Sequence, residues 1–249
     1  MKKLVVIITI LMLFIPKVNA STSSASSYIL MDSTTGRVLM SKDMHTKRLI
    51  ASITKIMTAT LAIESGKLND VVEVSPIIKE AYGSGIYIEV GEEITLKDLV
   101  YGLMLRSGND AAMMISEYIG GTTEEFVNMM NKKAKELGMK ETTFYNPSGL
   151  PTPSGNYSSV YDMALLTKYA MNSPVYQEIV KTKTYKVTTN KKTYLWHNKN
   201  KLLKYDYITG GKTGYTEESG RTLVSNDNID NMLLIVVKIR ELEYPYWTI

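Results

Sequence analysis

The chain contains no cysteine. A disulfide, a thiolate zinc site and a cysteine nucleophile are therefore excluded. Histidine is almost as scarce. His45 and His197 are the only two, too few and too far apart for HExxH-type zinc chemistry. A Ser-His-Asp triad could draw on just one of them, and no Gly-x-Ser-x-Gly elbow is present to go with it. A strong excess of one charge is missing too. The formal net charge is +4, and Lys2, Lys3 and Lys17 supply most of it, leaving +1 for residues beyond 20. That balance makes no electrostatic case for nucleic acid. Beyond the first twenty residues no apolar run is long enough to span a bilayer.

What is present begins with a leader. Lys2-Lys3 is a basic start, Leu4 to Ile15 is unbroken apolar sequence, and Pro16-Lys17-Val18-Asn19-Ala20 ends on a small residue. Residues 1–20 read as a secretory signal peptide. The mature chain is expected to start near Ser21, to lack a transmembrane segment and to work outside the cytoplasm, in association with the cell wall. A length of 249 residues with 44% hydrophobic content suffices for one large domain or two small ones.

Periodicity places strands at both ends and helices between them. Tyr28–Met31 and Arg37–Met40 flank the turn signal Asp32-Ser33-Thr34-Thr35-Gly36 and read as a hairpin. An apolar run from Ile53 to Glu64, stopped by Gly66, reads as a buried helix. Thr95-Leu96-Lys97-Asp98 resembles a capping box opening a helix to Leu105. Ser107-Gly108-Asn109 interrupts the helical pattern, which resumes from Asp110 to Ile119. Further helices are expected from Thr122 to Leu137, from Ser159 to Met171 and from Pro174. After Lys181 the period changes to strands: Thr184–Thr188, Thr193–Trp196, Ile208–Tyr215, Arg221–Ser225 and Met232–Ile239. The economical assembly is an α+β fold, one antiparallel sheet built from both chain ends and flanked by helices, with an inserted all-helical lobe. Residues 21–65 and 183–249 would form the sheet part and 66–182 the lobe. The lysine-rich stretch Lys181 to Lys204, interleaved with Tyr185, Tyr194 and Trp196, reads as a solvated hairpin face.

Three short motifs carry chemistry. Ser52 stands at a helix start with Lys55 three residues on, so both side chains share one face. A serine hydroxyl needs a base, and a lysine serves only if burial or a nearby cation lowers its pKa from ~10.4. Ser107-Gly108-Asn109 and Lys212-Thr213-Gly214 follow. Each alone has a bland reading: a helix cap, a turn, a strand end. In this order they resemble the Ser-x-x-Lys, Ser-x-Asn and Lys-Thr-Gly signature of the penicillin-binding serine peptidases and serine β-lactamases. The resemblance is closest to the low-molecular-weight D-alanyl-D-alanine carboxypeptidases and covers nearly all of the mature chain. Ala51 to Ala59, Ser107 to Ala112, Phe144 to Leu150, Tyr157 to Asp162 and Gly211 to Thr216 carry it.

The resemblance implies a β-lactamase/transpeptidase-like fold and a site. Ser52 would attack the carbonyl between the two terminal D-alanines of a peptidoglycan stem peptide, and Lys55 would take its proton. Ser107 would relay that proton to the leaving D-alanine. Asn109 would hydrogen-bond the substrate backbone, Lys212 would keep the site electropositive and Thr213 would bind the terminal carboxylate. The backbone N–H groups of Ser52 and Tyr215, with Gly214 between motif and hole, would hold the oxyanion. No metal or cofactor is implied, and β-lactams would acylate Ser52 as covalent inhibitors. A β-lactamase-like hydrolase, a transpeptidase or endopeptidase, and an inactive wall-binding remnant stand as alternatives.

Several features are set aside or depart from the pattern. Gly211-Lys212-Thr213 is only half a P-loop, because Asp206 stands where the first glycine would be. Glu124 to Asn128 has the form of a class A β-lactamase deacylation motif but reads as a helix start. Met113, Met114, Met129 and Met130 read as core filler. Asn156 replaces the family's histidine before Tyr-Ser, and Ser219 replaces a usual alanine; both changes are expected to be mild. The sequence to Ile249 creates the expectation that the family's C-terminal helix, β-domain and anchor are absent and that one sheet face is partly bare.

Overall fold

The computed structural model describes residues 23–151 and 154–241. The signal-peptide reading and the expectation for the C-terminal residues fall outside this range. In chain order the strands are β1 (Ala25–Asp32), β2 (Val38–Lys42), β3 (Arg48–Leu49), β4 (Val71–Glu73), β5 (Glu93–Thr95), β6 (Tyr157–Ser158), β7 (Thr184–Thr188), β8 (Thr193–His197), β9 (Ile208–Thr216), β10 (Gly220–Ile229) and β11 (Met232–Glu241). The α-helices are α1 (Lys55–Glu64), α2 (Leu96–Arg106), α3 (Asn109–Gly120), α4 (Thr123–Glu136), α5 (Val160–Ala170) and α6 (Pro174–Lys181).

The main sheet has the order β2-β1-β11-β10-β9, every pairing antiparallel. Among the described residues the first strand is thus stitched to the last, with Ile29 opposite Val237. β1 alternates buried and half-buried residues, as a strand with one face on the core must. At its end the Asp32 carboxylate accepts from the Thr34 and Thr35 backbone N–H groups and closes the turn to β2.

Helix α1 runs through the middle of the molecule. Eight of its residues, Lys55 to Ala62, are buried; a helix apolar on all sides belongs in a core. The helices around it start on capping hydroxyls. Thr95, Thr122 and Ser159 accept from the backbone N–H of Asp98, Glu125 and Asp162, each cap worth ~1 kcal/mol. Helix α4 buries only Phe126, Met130 and Ala134, the stripe of an amphipathic surface helix.

The hairpin β7–β8 stands apart from the main sheet. Its lysine-rich sequence does not make a wholly solvated face. Tyr194 and Trp196 are buried, and Tyr185 stacks on Tyr101 of α2 at 3.6 Å between ring centroids. Strand alternation hides this, because the lysines occupy the outward positions and the aromatics the inward ones.

Candidate active site

Ser52 does not cap α1 as its position suggests. It lies inside a short 3-10 turn, Ala51–Thr54, that runs directly into the helix. Ala51 before it has φ 48°, a region that costs a non-glycine residue roughly 1–3 kcal/mol and persists only where surroundings enforce it. Two glycines supply the enforcement. A Cβ on Gly149 would sit 2.0 Å from the Ala51 carbonyl oxygen, and one on Gly214 would sit 2.8 Å from the Ser52 nitrogen and 2.4 Å from Thr222 Oγ1. The loop and strand β9 therefore press on the Ser52 turn from two sides by backbone alone. Thr222 also donates from its hydroxyl to the Ile50 carbonyl.

Lys55 is buried completely. Its Nζ lies 3.1 Å from Ser52 Oγ, 2.7 Å from Asn109 Oδ1 and 2.6 Å from the Ser148 carbonyl oxygen. Desolvation, and after it the Lys212 and Lys199 cations, hold its pKa well below the usual lysine range, with Asp110 opposing. The orientation of Asn109 is fixed because its Nδ2 donates to the Tyr82 carbonyl, so Oδ1 must face Lys55. A neutral amine has two hydrogens and one lone pair. Asn109 Oδ1 and the Ser148 carbonyl can only accept. They take both hydrogens, and the lone pair is left for the Ser52 hydroxyl.

Ser107 occupies the junction between α2 and α3 in a left-handed conformation, φ 62°. Its Oγ is 3.1 Å from Lys212 Nζ. Lys212 reaches it from β9, is 2% exposed, and also donates to the Thr213 carbonyl at 2.6 Å. Burial, then the Lys199 cation, lowers its pKa to about 7. Ser52, Ser107, Thr213, Gly214 and Tyr215 line one cleft of about 450 Å3. The structure thus brings the seven residues singled out in the three motifs, and Tyr215 next to the last of them, into one region. His45 and His197 have no part in it: His45 faces Glu141 and His197 meets Thr184. Glu124 is an exposed first-turn residue of α4. Among the described residues no group of three or more His, Asp and Glu side chains could hold a metal ion.

Sequence reasoning missed several contributors. The Ser148 carbonyl is one. Its loop is tied down by Asn156, whose amide accepts from the Tyr145 and Asn146 N–H groups and donates to the Asn146 carbonyl and Thr54 Oγ1. Thr58 donates to the Pro147 carbonyl of the same loop. Lys199 is another: it stands at the rim and donates to Ser84 Oγ at 2.9 Å. The loop carrying Ser84 is anchored by Asp110, whose carboxylate accepts from the Ile86 and Tyr87 N–H groups. Ser219 packs its hydroxyl into the β9–β10 turn. A lone lysine and a backbone carbonyl carry no motif, so spacing could not find them, and the Asn156 and Ser219 positions stood out in the sequence without showing what their side chains hold.

Comparison with known proteins agrees with this geometry. Residues 15–241 match the family described as D-alanyl-D-alanine carboxypeptidase. The chain is 43% identical over 224 residues to the D-alanyl-D-alanine carboxypeptidase DacF of Bacillus subtilis, covering 86% of this chain and 56% of that protein. It is 35% identical over 236 residues to DacC of Escherichia coli, covering 88% and 57%. It therefore spans a little over half the length of these relatives. In three dimensions it is similar to the D-alanyl-D-alanine carboxypeptidase of Mycobacterium tuberculosis, with a TM-score of 0.88, 28% identity, and 92% and 88% of the two chains covered. A mutant of a Streptomyces DD-transpeptidase superposes with a TM-score of 0.85 at 29% identity, over 89% and 92%. With the match over residues 15–241 and these relatives beside the clustered Ser52, Lys55, Ser107 and Lys212, the chain belongs to the D-alanyl-D-alanine carboxypeptidase family.

Proposed function

We propose that the chain is a serine-type D-Ala-D-Ala carboxypeptidase that removes the terminal D-alanine from peptidoglycan stem peptides outside the cytoplasm. The observation that carries this is the coordination of Lys55. Two obligate acceptors and Ser52 Oγ surround its Nζ, so that in its neutral form the lone pair is left for Ser52. Ser52 attacks the penultimate carbonyl carbon and its proton passes to Lys55. The charge on the carbonyl oxygen develops toward the N–H groups of Ser52 and Tyr215, which Gly214 lets lie close together; losing one such donor costs ~3 kcal/mol. Ser107, held by Lys212, carries the proton toward the departing nitrogen. Thr213 and the positive charge of Lys212 and Lys199 hold the terminal carboxylate. Asn109 holds the substrate backbone. Water then cleaves the ester and frees Ser52.

In this reading the sheet part, residues 21–65 and 183–249, brings Ser52, Lys55, Lys212 and Thr213, and the helical lobe, 66–182, brings Ser107 and Asn109. β-Lactams enter as mimics of the D-Ala-D-Ala terminus and leave an ester on Ser52. No helix among the described residues is long and apolar enough to cross a membrane. The test is incubation with a fluorescent penicillin, followed by mass-spectrometric mapping of the adduct and an assay of D-alanine release from a pentapeptide. An adduct on Ser52 with D-alanine release is expected. No adduct, or an adduct that persists in Ser52→Ala, rejects the mechanism. Rapid loss of the adduct with no D-alanine release favours a β-lactamase.

A further inference from the structure

A second hollow, of about 180 Å3, adjoins the cleft and shares Ser84 with it. Tyr82 and Tyr87 line it and are 52% and 71% exposed. Two large exposed rings beside one hollow form a surface made for contact. Tyr87 is also strained. Its φ is 61°, an outlier for a bulky residue. The backbone is pinned there from both sides. Its N–H donates to Asp110 Oδ2 at 2.7 Å, and its carbonyl accepts from Lys192 Nζ at 3.0 Å and from the Tyr194 hydroxyl at 3.3 Å. The fold thus holds an aromatic ring outward at a cost, which is how functional positions are marked. Between the two tyrosines, Gly83 and Gly85 leave the floor bare. A Cβ on Gly85 would lie 3.1 Å from Asp110 Oδ2 and 3.4 Å from the edge of the Tyr87 ring, and one on Gly83 would lie 3.3 Å from Asn109 Nδ2.

Charge separates the hollow from the cleft. Lys199 and Lys201 line the cleft and Lys212 reaches Ser107 inside it, which suits a carboxylate. Among the described residues no lysine or arginine lines the hollow, whereas Asp110 does. Lys199 marks the border, where it donates to Ser84 Oγ. Lys192, at the Tyr87 carbonyl, is paired with Glu89. The Asp110 oxygens already accept from the Ile86, Tyr87 and Ala111 N–H groups, so Asp110 lends the hollow its charge rather than a free lone pair. A carboxylate under the floor and two aromatic rings at the edge attract an organic cation. The substrate runs toward them. Its terminal carboxylate lies at Thr213 and its backbone on Asn109, whose Nδ2 also donates to the Tyr82 carbonyl. The residue before D-Ala-D-Ala, one Cα step of roughly 3.8 Å further on, therefore comes beside the 82–87 loop. We propose that Tyr82 and Tyr87 form a subsite for a side-chain ammonium on that residue, so that the enzyme prefers stem peptides whose amine is free over those whose amine is acylated, as in a cross-link. The inference rests on the peptidase reading and deepens it.

The experiment compares D-alanine release from two peptides, Nα-acetyl-L-Lys-D-Ala-D-Ala and its Nα,Nε-diacetyl form. At neutral pH the first carries an ammonium and the second does not. For the wild type, kcat/KM is expected to be at least ~5-fold higher for the free amine, mainly through KM. Tyr87→Leu and Tyr82→Leu keep apolar bulk and remove the ring. Each is expected to lower the ratio of the two kcat/KM values roughly threefold or more, whereas Tyr87→Phe keeps the ring and the ratio. A purely structural role would change both peptides alike and leave the ratio where it was. Melting curves and penicillin acylation show which variants are folded. Tyr82→Leu decides the matter if Tyr87→Leu fails to fold, because only the backbone carbonyl of Tyr82 serves Asn109. A wild-type ratio within about twofold of one, or folded leucine variants with an unchanged ratio, overturns the subsite and keeps the peptidase. Release of D-alanine from neither peptide, with no penicillin adduct, rejects the peptidase reading, and the subsite falls with it.

Discussion

At the N-terminal end of α1, Lys55 is enclosed by two carbonyl oxygens and a hydroxyl. At its C-terminal end, Lys133 of α4 reaches Glu64 and Glu136, both at 3.1 Å, and Tyr169 donates its hydroxyl to Glu64. The same residue type is driven in opposite directions. Burial, then two neighbouring cations, push Lys55 down. Burial also acts against Lys133, but its hydrogen bonds to Glu64 and Glu136 outweigh that and raise it. A lysine with a counter-ion is a charged strut. A lysine buried without one is a base, and the fold must carry its desolvation. Function and stability are separated along a single helix.

The largest effect should come at the functional end. Ser52→Ala is expected to lower D-alanine release at least ~10^4-fold and to abolish the penicillin adduct, as read by mass spectrometry. Lys55→Met should slow penicillin acylation by ~10^2–10^4 with a much smaller change in melting temperature, since the desolvation cost of the removed amine is set against two acceptors left without a donor. A fall in melting temperature with normal acylation would make Lys55 a strut like Lys133 and break the comparison. Asn156→Ala leaves the loop groups around it unsatisfied. We expect ~1–3 kcal/mol lost in chemical denaturation together with slower acylation, because the Ser148 carbonyl loses its support.

The pH dependence sharpens the same contrast. The proposed mechanism uses a neutral Lys55 and a charged Lys212, so kcat/KM should rise as Lys55 loses its proton and fall above about 7 as Lys212 does, by ~10-fold per pH unit. Removing the cation in Lys212→Met should move the rising limb to higher pH. For stability the sign follows from proton counting. Lys212 binds fewer protons folded than unfolded between about 7 and its ordinary 10.5, so its contribution should grow with pH across that window, in melting curves from neutral to alkaline pH. The smallest effect belongs to the other end. Glu64→Gln should cost no more than ~1 kcal/mol, as for a partly exposed pair, with unchanged penicillin acylation.

Much of this was legible before any coordinates. Ser52, Lys55, Ser107, Asn109 and Lys212 stand in ordered motifs whose chemistry needs those side chains, and strand and helix periods put the sheet at the chain ends. Other parts were hidden for definite reasons. The Ser148 and Tyr82 carbonyls that orient Lys55 and Asn109 are backbone, identical at every position of the sequence. Asn156 looked like a mild replacement until its amide was seen to bridge Thr54 and the loop. Lys199 was lost among surface lysines because only the packing of β7–β8 against α2 brings its segment to the cleft.

Gly149 and Gly214 suggest how such a chain can diverge. The Ser52 turn is located largely by main chain pressed against main chain, with the Thr222 hydroxyl beside it. Outer walls of the cleft can then be repainted by mutation while the reacting atoms stay where they are. A single methyl group at either bare spot would push on the Ser52 turn, at the Ala51 carbonyl from one side and at the Ser52 nitrogen from the other.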